Sequence, residues 1–131
     1  MAFFVPWYIF LFIGAYDWGF YAHGLISVAS AARVAALYTS TDATTQSNSA
    51  VACTYALEEL RIAINIPSSL TTCNSLPVIV TATAKSGANS ADGGDASEVA
   101  VTYRTGLLIP IPGILKGQAT FYRVVQMRLR G

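Results

Sequence analysis

The first 39 residues decide what this chain can become. Residues 3–39 read as one uninterrupted helix whose two halves differ in kind. The first, FFVPWYIFLFIGAY, carries no charge and is built from large side chains. The second, HGLISVASAARVAALYT, is dominated by small ones and holds a single cation, Arg33. A helix of ~37 residues is about 55 Å long, whereas a compact unit of ~100 residues has a radius of gyration near 13 Å. Part of the helix is therefore expected to protrude. Ten large apolar side chains fall between Phe3 and Ile13: Phe3, Phe4, Val5, Trp7, Tyr8, Ile9, Phe10, Leu11, Phe12 and Ile13. At ~1.5–3 kcal/mol each, their burial is worth roughly 15–30 kcal/mol, more than the about 5–15 kcal/mol that keeps a domain folded. A bilayer or neighbouring chains must cover them.

Pro6 falls in the first turn, where a missing N–H costs little. As a membrane span the uncharged run is short of the ~20 residues required. Continuing through WGFYA to His23 supplies the length but encloses Asp17. A carboxylate at a bilayer centre costs about 2.5–3.5 kcal/mol. Two readings stand for Asp17: an interfacial residue, or a partner for a neighbouring subunit. Asp17 and Arg33 are separated by about 24 Å along one helix, so only chains offset by that rise can pair them. His23 reads as a packing residue. From Gly24 to Ala36 the small residues recur at four-residue spacing, Ser27, Ala31 and Ala35 on one line and Ala32 and Ala36 on the next. Such faces let helix backbones approach closely; an Ala-rich helix also simply has good propensity.

Charged residues make up 11 % of the 131 residues and hydrophobic ones 53 %, against about 25 % charged in an average soluble protein. Such a chain cannot coat itself with charge, and contact with lipid or with copies of itself is expected. The net charge is +1 with Lys and Arg scattered, which leaves no footprint for nucleic acid. One histidine and no CxxC pair exclude a zinc site, and no cofactor is implied. The two cysteines, Cys53 and Cys73, would be free core thiols in a cytosolic protein. In an exported chain they are expected to pair, closing a loop worth ~3 kcal/mol by chain entropy. No Lys or Arg precedes Arg33, so a secretory n-region is not visible. Either Met1 is already a processed end, or orientation is set otherwise.

Past the helix, STDATTQSNS (40–49) reads as a polar loop whose Ser47 or Ser49 caps a second helix, about 50–64. Its apolar stripe is Cys53, Leu57, Leu60 and Ile64. Glu58 and Glu59 are consecutive and do not face each other, so solvated surface is expected rather than paired-carboxylate catalysis. Period-two alternation predicts strands from 78, at 98–105 and at 118–130. The stretch SGANSADGGDAS between the first two reads as a hairpin tip; Asp92 and Asp95 lack the ligand series of an EF-hand loop. Between the last two strands lies GLLIPIPGILKG (106–117), with Leu107, Leu108, Ile109, Ile111 and Ile114. A loop so apolar is a candidate subunit contact, or else a cover over its own sheet edge. The expected class is α+β: a long N-terminal hydrophobic helix (1–39), then a small head (40–131) with a short second helix and a three-stranded antiparallel sheet.

The order of these features resembles the TadE-like pseudopilins of the tight-adherence (Flp) pilus machinery. The apolar start with Pro6, then Gly14, Asp17 and Gly19 in GAYDWG, and Ala31-Ala32-Arg33, similar to the family's NAAR segment, carry the likeness. It covers the first ~35 residues; the two-cysteine remainder fits more loosely. The resemblance implies a pilin-like layout and a non-enzymatic bacterial envelope or pilus component, made as a prepilin and cleaved by a prepilin peptidase. The family's basic leader and the glutamate ahead of the proline are absent, as expected of a chain trimmed downstream of them.

Two roles follow. In one, the chain is a structural pilin-like subunit that polymerises with copies of itself, through Phe3, Phe4, Trp7, Phe10, Phe12 and the rest of the helix, into an extracellular filament. In the other, it is a membrane-anchored minor pseudopilin assisting assembly of a tight-adherence pilus, with other pilins as partners and the inner membrane as its station. A catalytic role has no constellation around the one histidine to support it.

Overall fold

The structure, a computed structural model, describes residues 2–62, 66–104 and 120–130. Helix α1 runs from Phe4 to Thr39 and helix α2 from Ser49 to Leu60. The strands are β1 (Asn74–Ser75), β2 (Val78–Lys85), β3 (Ala96–Arg104) and β4 (Thr120–Arg128), paired antiparallel in the order β1-β2-β3-β4. The chain is thus α+β in the expected pilin-like layout, with four strands among the described residues instead of three. The additional strand, β1, is two residues long and pairs Asn74 with Ile79 and Ser75 with Val78. Two residues have no periodicity to read, so no sequence pattern announces it.

Pro6 sits in the first turn of α1, among N–H groups that have no intrahelical partner anyway. The cap of α2 is Asn48, not Ser47 or Ser49: its side-chain oxygen accepts from the N–H groups of Ala50 (3.1 Å) and Val51 (3.2 Å). Ser49, one residue later, has another use. Its Oγ accepts the N–H of Ala82 at 3.0 Å, tying α2 to the edge of β2 that β1 is too short to cover. Helix α2 ends at Leu60 rather than near 64, and Ile64 lies outside the described residues.

The sheet folds one face onto both helices. Val78, Val80 and Ala82 of β2, Val99, Val101 and Tyr103 of β3 and Phe121 of β4 point inward. They meet Val28, Ala31, Ala32, Ala35 and Ala36 of α1 and Ala52, Cys53, Ala56, Leu57 and Leu60 of α2. The register, Val80 opposite Val101 and Tyr103 opposite Phe121, keeps every inward residue beside another. Ala84 belongs to the same series but is exposed, because β2 there runs past the helices.

Polar groups close the top of the head. The Thr39 hydroxyl donates to the Ala35 carbonyl (3.0 Å), and Ser97 Oγ lies 2.7 Å from Thr39 Oγ1 and 2.9 Å from the Gln46 carbonyl. Gln46 Nε2 donates to the carbonyl of Ala96 at 2.7 Å. The loop expected to be merely polar is therefore bonded into the sheet. Cys53 and Cys73 form a disulfide, joining α2 to the segment that leads into β1.

Candidate assembly surface

The two halves of α1 have opposite surroundings. From Phe3 to Phe12 the large side chains lie open on every side of the helix, from 50 % exposed at Leu11 to 92 % at Phe3. Phe4, Trp7 and Phe10 are among them. A helix apolar all round suits a membrane or the core of a bundle, not a surface half in water. Ala31, Ala32, Ala35 and Ala36, in contrast, are fully enclosed by the sheet and α2. This changes the role of the small-residue lines. Ala31, grouped from the sequence with the residues that pack between subunits, is used inside its own head.

The glycines divide the same way. A Cβ placed on Gly24 would stand 2.6 Å from the Phe121 ring, so glycine is required there for β4 to close on α1. Among the described residues, Gly14 and Gly19 have nothing within 4 Å of that position. The ring of Phe121 is also packed edge-on against Tyr21, with centroids 5.1 Å apart. On the α2 side Tyr38 and Tyr55 stack with centroids 3.7 Å apart. Phe121 thus anchors β4 to α1, and the tyrosine pair helps to anchor α2. Neither contact is readable from spacing, since each joins residues far apart in the chain.

Asp17 is only 3 % exposed, while Arg33 is exposed. A carboxylate enclosed by its own chain is poorly placed to receive a guanidinium from a neighbour, so the inter-chain Asp17–Arg33 pairing is not carried forward. His23 borders a shallow groove over Gly19 with Ala15, Tyr16 and Phe20. The candidate contact residues Leu107, Leu108, Ile109, Ile111 and Ile114 lie outside the described residues.

Among the described residues no cluster of His, Cys, Asp and Glu is able to hold a metal ion. The Asp92 carboxylate is engaged in its own hairpin turn, accepting from the Gly94 N–H (3.2 Å) and Ser90 Oγ (3.0 Å). Those two bonds, with Arg128 nearby, hold its pKa below the ordinary value. Asp42 is likewise held low by the hydroxyl and N–H of Thr44 and the N–H of Thr45. Both acids organise turns.

Comparisons with protein families, curated proteins and solved structures gave no match to this chain.

Proposed function

We propose that this chain is a structural, pilin-like subunit, held in a membrane by the lower part of α1 and then polymerised through that helix into an extracellular filament. The observation that carries the reading is the belt of exposed apolar and aromatic side chains from Phe3 to Phe12 beneath a closed head. Helix α1 is long and apolar enough to cross a membrane. Its first ~20 residues span about 30 Å, the thickness of the hydrocarbon core. Gly24, where β4 begins to cover the helix, comes just after that length. A disulfide-closed head suits an oxidising compartment outside the cytoplasm. The resemblance of Pro6, Gly14, Asp17, Gly19 and Ala31–Arg33 to TadE-like pseudopilins points the same way. The role is architectural rather than catalytic.

The same span also supports an anchored accessory subunit that assists another pilus. Abundance separates the two. Filament subunits dominate the material sheared from the cell surface, while an accessory subunit stays scarce and in the membrane fraction. Recovery of the chain as a soluble cytosolic protein with reduced cysteines would remove both readings.

A further inference from the structure

The outward side of α1 carries a repeat of its own. Ala15, Gly19, Ala22, Ile26, Ala29 and Arg33 follow at alternating steps of four and three residues, the spacing of a helix face that meets a parallel helix along one seam. Four of the six are Ala or Gly, so a second backbone has room to come close. Ile26 is 69 % exposed, and the space over Gly19 is open among the described residues. This face is separate from the buried line of Ala31 and Ala35.

The two flanks of the seam carry opposite charges at one height. On one side α2 presents Glu59, whose carboxylate accepts the Ser30 hydroxyl at 3.2 Å. On the other β4 presents Arg123, beside a groove of about 280 Å³ that it shares with Leu25, Ile26 and Ala29. Both side chains are exposed. Both meet α1 within the same turn or so, between residues 25 and 30.

We propose that two copies of this chain pair in parallel about a two-fold axis running along α1, seam against seam, with Glu59 of each copy facing Arg123 of the other. A two-fold axis in that direction turns the acidic flank of one copy onto the basic flank of its partner, and does so twice. It introduces no axial shift, which the equal heights of the two flanks require. A lipid occupant would explain Ile26 but neither flank charge, nor a glycine that costs about 1 kcal/mol against alanine in a helix. Arg33 is the one like-charge approach, at the upper end of the seam, where its long stem lets the guanidinium turn to water. The pair rests on the assembly reading above and supplies its first step, a dimer of anchored chains.

The test uses the full chain in lipid bilayers. With Cys53 and Cys73 locked together, Ile26→Cys and Ala22→Cys should each give disulfide-linked dimers under mild oxidation, and Thr54→Cys on the outer face of α2 should not. On the Ile26→Cys background, Glu59→Arg or Arg123→Glu should each lower the cross-linked fraction about tenfold, and the two together should return it to within about twofold. Far-UV circular dichroism checks that each variant is folded. If the chain associates but Ile26→Cys links no faster than Thr54→Cys, or the paired reversal does not compensate, the two-fold pair is wrong and the assembly reading stands. If the unaltered chain is monomeric both in bilayers and in surface material, the assembly reading falls and the pair with it.

Discussion

The lower half of α1 keeps its largest side chains outside, and the upper half keeps its smallest inside. That is the reverse of an ordinary globular helix, whose large residues fill the core and whose small or polar ones face water. The upper half is built for short distance: four alanines and Gly24 let the sheet and α2 close directly on the helix backbone. In the lower half Phe, Trp, Ile and Leu point in all directions and stay exposed among the described residues. One continuous helix therefore carries two different kinds of surface. The head should owe its stability to the upper half alone, and the lower half should govern only where the chain resides and what it joins.

Several substitutions bear on that division. Loss of the disulfide through Cys53→Ala with Cys73→Ala should destabilise the head by ~3 kcal/mol. Thermal or denaturant unfolding should report the same loss whether or not the lower half of α1 is present; unequal losses would mean that the halves are coupled. Next comes Ala35→Leu, which forces a large side chain into a fully closed site and should cost about 1–3 kcal/mol. Phe10→Ala in the lower half should leave the unfolding midpoint of the head unchanged and weaken membrane partition. Two glycine variants should differ in sign. Gly24→Ala drives a methyl against Phe121 and should destabilise by about 1–2 kcal/mol even after the gain in helix propensity. Gly19→Ala meets nothing among the described residues and should stabilise the isolated helix by up to ~1 kcal/mol.

The smallest effect is one of pH. Burial pushes the Tyr103 hydroxyl above its ordinary value of 10.0, so the folded state favours the neutral phenol. Stability from this group is full below pH 10.0 and falls as pH rises through the higher folded value. Asp42 and Asp92 act in the opposite sense. Their carboxylates are held below 3.8, so their contribution is present above that pH and disappears as pH falls through the lowered values. Both are exposed turn residues, so the acid effect should be slight. A pH titration of head unfolding should give the same curve with and without the lower half.

Much of this arrangement is legible in the sequence. The bounds of α1, the alternation of β2, β3 and β4, and the pairing of Cys53 with Cys73 rest on local periodicity, composition and compartment chemistry. What escaped depended on partners distant in sequence. Gly24 looks like any helical glycine until Phe121 is placed over it. Gln46 and Thr39 look like loop and helix-end polar residues until Ser97 and Ala96 arrive beneath them. The four-residue spacing of Ala31 and Ala35 correctly signals close packing, but not whether the neighbour is another subunit or the chain's own sheet. Asp17 illustrates the same limit, since one helix cannot say that its carboxylate will be enclosed.

The central claim is that the apolar belt, not the head, drives the chain out of water and into association. Sedimentation of a chain beginning at Gly14 tests it most directly, because that cut removes the belt and keeps Asp17, Tyr21 and Gly24. The account predicts a soluble, disulfide-closed species no larger than the seam-to-seam pair, with the head's unfolding midpoint preserved, while the full chain enters bilayers or assembles. Filaments or large oligomers formed by the shortened chain would contradict it.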